Sequence, residues 1–342
     1  MTIYHTSLDV EKDRYKMTIQ FPAQFTVRPA NDGDVAAYIA LTSAIEVDKY
    51  HEELPHNDDE LAQELKDAAR SLVVEHDDSF VALLLLFDQS LHTRFSADGS
   101  IHPQWQGHGI EGAFIYQAEE WAQELAQKAE QFGQIKLHFG IARPNTLMRQ
   151  QLLDQGFELA RTFWRMRIDL TEPPQAPVVP DGFIIRTIEV GKDEPQVHAT
   201  VEEAFRDHWE FPESTFEEFQ KQYLGKGFDP SLWFVAVADD TITGSIISNA
   251  QTGDIWINKV AVRRSWRKRG LAMALLRTAF TTYYARGIHR IELGVDADSP
   301  TNAQKLYIEA GMHAVMEWDN YRKIILMNQP VSSGITSASA NQ

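Results

Sequence analysis

Apolar and polar positions along this chain follow an order that occurs twice. Phe25-Thr26-Val27-Arg28-Pro29 alternates as a short strand does. Aspartates 32 and 34 precede apolar residues at helical spacing, which predicts a helix to about Glu46, with a second helix over 58–69. Strands are predicted over 71–75, 80–87 and 93–101, a helix over 109–131, a strand over 135–141, a helix over 145–155 and a closing pair of strands within 158–169. The second half repeats this: a strand over 183–187, helices over about 194–205 and 215–224, and strands over 233–238, 241–250 and 254–262. A helix over 270–286, a strand over 290–295, a helix over 301–310 and strands over 313–318 and 321–327 complete it. Residues repeat with the pattern. Gln104-Trp105-Gln106-Gly107-His108-Gly109-Ile110 matches Ser265-Trp266-Arg267-Lys268-Arg269-Gly270-Leu271, and Asp154-Gln155-Gly156-Phe157 matches Glu309-Ala310-Gly311-Met312. Two widely spaced matches in register argue for duplication.

Pro173, Pro174, Pro177 and Pro180 crowd the stretch 171–181, where they deny a sheet its donors and favour extended chain. The reading is therefore a 1–20 extension, a first domain over 21–170, a proline-rich linker over 171–181, a second domain over 182–330 and a disordered tail over 331–342. A length of 342 residues suits two domains. The fold class is α/β, each domain a mixed sheet with helices on both faces.

The chain has no cysteine, which removes disulfides, thiolate zinc sites and a thiol nucleophile, and makes a cytoplasmic location the expectation. Its net charge of −17 argues against nucleic acid and favours cationic partners such as amines, although acidity also serves solubility. The longest apolar run, Val81 to Phe87, is far short of the about 18 residues a membrane span needs, and the first residues lack the apolar core of a secretory signal. His51-Glu52-Glu53-Leu54-Pro55-His56 has the wrong histidine spacing for a zinc helix and a proline inside it, so no metal is expected.

The chemistry concentrates at residues 260–272. An apolar strand end (Val260, Ala261, Val262) leads into Arg263, Arg264, Arg267, Lys268 and Arg269, and Gly270 then opens an apolar helix with Leu271 and Ala272. Unpaired N–H groups and the helix dipole make such a terminus an anion site. The alternative is a basic turn that only connects a strand to a helix.

The pattern Arg267-x-x-Gly270-x-Ala272 after a Val-x-Val strand end resembles motif A of the GNAT acyltransferases. The stretch Ser299-Pro300-Thr301-Asn302-Ala303-Gln304-Lys305-Leu306-Tyr307-Ile308-Glu309-Ala310-Gly311-Met312 is similar to their motif B, with Ser299 where asparagine is usual. The element order over 21–330 is also that of tandem GNAT proteins with a mycothiol-synthase-like layout. The resemblance implies an acetyl-CoA-dependent N-acetyltransferase acting by direct attack of a primary amine of a small molecule. Val260 and Val262 would pair with the pantetheine arm, and residues 267–272 would hold the pyrophosphate. Ser299 would supply a hydrogen bond to the cofactor, and Tyr307 would protonate the departing thiolate. Candidate bases by strand position are Asp254 and Glu292, ahead of Asp296, with Asn258 able to orient water. The aromatic and acidic stretch containing His208, Trp209 and Glu210 suits a cationic acceptor.

The first domain departs from the pattern: Glu111 stands where Ala272 stands, and Leu152 where Tyr307 stands. A carboxylate at an anion site repels phosphate, so the second domain is expected to be the active one. The rival reading is a non-catalytic acyl-CoA-binding or regulatory protein that keeps the loop alone.

Overall fold

The structure is a computed structural model that describes residues 21–51, 58–129, 133–225, 227–251 and 253–327. The expected 1–20 extension and 331–342 tail, and residues 52–57 of the histidine-containing segment, lie outside them.

The first half contributes β1 (Thr26–Arg28), α1 (Val35–Tyr50), α2 (Asp58–Asp67), β2 (Arg70–His76), β3 (Ser79–Ser90), β4 (Arg94–Ile101), α3 (Ile110–Ala126), β5 (Gln134–Ala142), α4 (Thr146–Asp154) and β6 (Glu158–Asp169). The second contributes β7 (Ile184–Thr187), α5 (Glu194–Phe205), α6 (Phe216–Tyr223), β8 (Phe234–Ala238), β9 (Thr241–Gln251), β10 (Asp254–Val262), α7 (Leu271–Ala285), β11 (Arg290–Asp296), α8 (Ala303–Glu309) and β12 (His313–Leu326).

Helices cover both faces of the first half's sheet, which explains the unbroken apolar run of β3. Its Leu84 and Leu86 pack with Phe114 and Ala118 of α3, while Leu83 and Leu85 pack with Tyr38 and Leu41 of α1. A strand buried on both faces reads as continuous rather than alternating apolar sequence. The second half's core joins Val197 and Val201 of α5, Leu275 and Phe280 of α7 and the strands between them.

The strands form one twelve-stranded sheet in the order β1-β2-β3-β4-β5-β12-β6-β11-β10-β9-β8-β7. Only β4 with β5 and β10 with β11 run parallel; the other neighbours are antiparallel. The last strands of the two halves are exchanged. β6, at the end of the first half, pairs over Phe163–Asp169 with the whole of β11, whereas β12, at the end of the second, pairs with β5 from Gln134 to Ala142. β6 and β12 also pair with each other and close the seam.

Each closing segment is one strand, where the sequence pattern suggests two. Asp319-Asn320 reads as a turn, but the Asp319 side chain is buried and accepts the Thr162 hydroxyl at 2.8 Å. Asn320 bonds the His138 ring at 2.9 Å. These turn-forming side chains are satisfied across the sheet, and bulges at Ala314–Met316 and Asn320–Tyr321 absorb the irregularity.

The exchange makes each half depend on the other for an interior strand. Residues 21–175 or 176–330 produced alone are expected to lack a cooperative thermal transition, and the two segments co-expressed are expected to copurify and melt as one unit. Circular dichroism of each preparation checks this.

Candidate active site

β10 and β11 begin as a parallel pair, with Ile255, Trp256 and Ile257 opposite Ile291, Glu292 and Leu293. The pairing then stops. A bulge between Ile257 and Lys259 leaves Asn258 out of register, and Val260, Ala261 and Val262 pair only with Ile246, Ser245 and Gly244 of β9. Their other edge faces an opening wedge. β4 and β5 part in the same way after Asp98 and Gly140, so the duplication includes the splay.

The loop after β10 makes a helical turn at Arg264–Trp266 and reaches α7 through Gly270, whose φ of +82° lies in the left-handed region that a side chain disfavours. No side chain caps α7. Leu271 is buried beneath the loop, and Lys268, Arg269 and Gly270 are exposed.

The five basic side chains divide into two roles. Arg267 donates to the Val262 carbonyl (3.1 Å) and the Ala204 carbonyl (2.9 Å). Arg263 donates to Thr200, to the Ile242 carbonyl and to Glu203, and Arg264 pairs with Asp207. These three hold the loop against α5 and its neighbours. Lys268 and Arg269 face solvent, with Arg269 over the Trp266 ring at 4.8 Å.

The first half's loop has the same backbone, with a helical turn at Pro103–Trp105 and Gly109 at φ +89°. Gln106 donates to the Ile101 carbonyl (3.4 Å), as Arg267 does to Val262. The content differs. Glu111 is buried, and its carboxylate accepts the Gly107 N–H at 2.8 Å. That loop's anion position is filled by the protein's own anion.

Tyr307 of α8 is 7% exposed in the second core, and burial pushes its phenol well above the ordinary tyrosine value, so it carries its proton at neutral pH. Leu152 takes the corresponding place in α4 and is fully buried. Ser299 is buried too; its hydroxyl shares a hydrogen bond with Thr301 (2.9 Å), and its N–H donates to the Asp296 carbonyl (3.1 Å). Asp296 stands at the wedge end of β11, accepts the Asp298 N–H at 2.8 Å and faces Arg161 at 3.7 Å.

The two leading base candidates lie elsewhere. Asp254 starts β10, at the end remote from the wedge, beside Arg290 at 3.9 Å; burial raises its carboxyl. Glu292 is 3% exposed, and both its oxygens are engaged, one by Arg165 and the other by Arg167 at 2.7 Å. A buried carboxylate whose two oxygens are held by two guanidinium groups is a structural ion pair, with neither oxygen turned to a substrate in the wedge. Strand position alone does not reveal this, because both arginines come from β6, the exchanged strand.

The acceptor stretch is divided as well. Glu210 does not stand free for a cationic ligand: it bonds Lys136 at 2.8 Å and lies near Arg94 (3.6 Å) and the His138 ring (3.3 Å), all in the first half. Those cations outweigh desolvation and lower its carboxyl. Trp209 packs on His138 and Phe163, under the Arg161 guanidinium at 5.5 Å. These two residues bind the α5–α6 connection to the first half. His208 remains on the wedge side, its ring tilted against that of Phe205 at 4.6 Å and close enough to Asp296, Lys259 and Arg267 to feel their charges; burial, the main cause, lowers its pKa.

Lys259 is a member of this site that sequence reasoning missed. Its ammonium lies 4.9 Å from the Phe205 ring and 6.0 Å from that of Phe211, and desolvation lowers its pKa. The available signal was a lysine interrupting an otherwise apolar strand end. Among the described residues no group of His, Asp and Glu could hold a metal ion, and no helix is long and apolar enough to cross a membrane.

Residues 196–312 match the Acetyltransferase (GNAT) family. A mycothiol acetyltransferase of Thermobispora bispora is 34% identical over 163 residues, 46% of this chain, and the match spans 55% of that protein's length. The mycothiol acetyltransferase of Thermobifida fusca is 27% identical over 63% of this chain and 70% of its own. A tandem GNAT protein from the clavulanic acid biosynthesis pathway shares the fold, with a TM-score of 0.67 at 17% identity over 88% of this chain and 98% of its own. The crystal structure of a GCN5-related N-acetyltransferase from Sphaerobacter thermophilus is 31% identical, with a TM-score of 0.80 over 89% of this chain and 97% of that one. With two such halves in tandem, the chain belongs to the GCN5-related N-acetyltransferase family.

Proposed function

We propose that the chain transfers an acetyl group from acetyl-CoA to a primary amine of a small molecule, at the wedge between β10 and β11. The observation that carries this reading is the contrast between the two loops. The uncapped start of α7, flanked by Lys268 and Arg269, is fitted to an anion, whereas Glu111 fills its counterpart. The free edge of Val260 and Val262 offers backbone groups to the amides of a pantetheine arm. The thioester supplies an acyl group activated for attack by a neutral amine.

The chain's own residues divide the remaining work. Tyr307, kept protonated by burial, donates the proton that the departing sulfur needs. His208, neutral at pH 7 because burial lowers its pKa, takes the proton of the attacking amine. Asp296 sits beside it as the acid that faces a cationic acceptor. Glu292 and its arginines keep the parallel pair and β6 in place beneath the wedge.

The test is a panel of primary amines incubated with acetyl-CoA and followed by release of free thiol. Tyr307→Phe is expected to lower kcat by ~10²–10⁴-fold with acetyl-CoA binding retained. Ala272→Glu places the first half's carboxylate at the second loop without touching the left-handed Gly270. It is expected to weaken acetyl-CoA binding roughly tenfold or more (~1.4 kcal/mol), measured by calorimetric titration; undiminished binding would remove the cofactor from this loop.

The pH profile carries its own sign. A histidine with a lowered pKa is a competent base down to a pH below its ordinary midpoint. Referred to the concentration of neutral amine, kcat/KM should therefore rise with pH through a midpoint below the usual histidine value and then level. His208→Asn should abolish that acid limb.

Glu292→Gln removes the buried carboxylate that Arg165 and Arg167 share. Chemical denaturation should show a loss of roughly 3–5 kcal/mol, while folded protein still binds acetyl-CoA; a normal stability with lost turnover would return Glu292 to the role of base.

A further inference from the structure

Between the halves lies a cavity of about 510 Å³, bounded by the parted ends of β4 and β5 on one side and by Arg165, Trp256 and Trp318 on the other. It is the first half's counterpart of the cofactor wedge, and nothing in acetyl transfer at the second half uses it. The cofactor does not fit here, because Glu111 occupies the loop's N–H group and repels phosphate.

The charges lining the cavity do not balance. Lys49 is paired with Asp48 (2.7 Å) and bonded to Gln106 (3.0 Å). Arg165 is paired with Glu292 and stacks over Trp256 at 5.4 Å. Asp98 has no cation among the described residues and receives a single hydroxyl bond, from Ser100 at 3.3 Å. It is accessible, yet protein surrounds it, and this desolvation pushes its carboxyl above the ordinary value. Trp256 and Trp318 converge over Gly294, where a Cβ would lie 3.8 Å from each indole, and Phe163 stacks on Trp318 at 5.6 Å. A carboxylate at one wall and the apolar edges of indole rings at another suit an organic cation with an apolar body.

We propose that this cavity binds a compact, non-phosphorylated organic cation, an amine or quaternary ammonium, with Asp98 as its counter-ion and Trp256 and Trp318 as its apolar walls. Leu152 takes the place of the general acid in this half, so the ligand is held without being acetylated there. The site gives the first half a binding role separate from the second half's chemistry.

The test titrates choline, which has no transferable N–H, and spermidine into the full chain without acetyl-CoA, by calorimetry. Saturable binding of at least one is expected. It should weaken at least tenfold in Asp98→Asn and persist in Ala272→Glu, which disables only the second loop. Since Asp98→Asn removes an accessible but desolvated charge that no cation among the described residues pairs, the variant should melt at or above the wild-type temperature. Absence of saturable binding for both cations, binding that survives Asp98→Asn, or a marked drop in that variant's melting temperature would overturn the proposal; the last would reveal an internal partner for Asp98.

Discussion

Backbone N–H and C=O groups that leave water must find partners, and this demand shapes both the assembly of the two halves and the wedge each contains. A sheet edge inside a molecule is tolerated only if something covers it. The sheets of the two halves meet edge to edge, and exchange of β6 and β12 turns both meeting edges into interior strands. The parallel pairs obey the same rule up to Ile257 and Asp98 and then break it. Beyond those residues one edge of β10 and one of β4 lack a strand partner. Under the proposed reading the second half's free edge is completed by the amides of an extended ligand. The first half's opens on a cavity instead.

The exchange has a further consequence for the site. β6 brings Arg165 and Arg167 against Glu292, and Phe163 and Arg161 against Trp209. The α5–α6 connection, which overhangs the wedge, is tied through Glu210 to Lys136 and through Trp209 to His138. The first half therefore decides where this connection sits. If the second half is the working one, as proposed, the first cannot be discarded, because the acceptor side is built against it.

Much of this was legible in the sequence. Elements with strong periodicity and clear punctuation came out within a residue or two: α5 over 194–205 and β10 over 254–262 are bounded as their patterns suggest. The loop at Gly270 was legible because its glycine, its basic residues and the preceding apolar strand are adjacent in the chain. Long-range partners were not. Nothing local to Glu292 announces that two guanidinium groups from residues 165 and 167 will occupy its oxygens, and nothing in His208-Trp209-Glu210 tells which side chain turns to the wedge and which to the other half. The turn residues Asp319-Asn320 misled for the same reason: their hydrogen-bonding needs are met by Thr162 and His138, more than 150 positions away. Local pattern specifies elements, while the fate of a polar side chain depends on what the topology brings opposite it.

The two loops show how little separates an anion site from its absence. Their backbones agree in the helical turn, in the left-handed glycine before the helix and in the brace from Gln106 or Arg267 to the preceding strand's carbonyl. They differ in the basic side chains, Arg267, Lys268 and Arg269 against Gln106, Gly107 and His108, and at one helical position, Ala272 against Glu111. With alanine there, the N–H groups at the start of α7 remain for a ligand, and the dipole favours a negative one. With glutamate there, the Gly107 N–H of the loop acquires an intramolecular acceptor, and the carboxylate adds a negative charge that opposes phosphate. The fold is unaffected, since Glu111 satisfies a donor that the loop would otherwise leave unpaired. Under the proposed reading, loss of the cofactor and stabilisation of the loop are one event, and one half of a duplicated enzyme is silenced chemically while it goes on supporting the other.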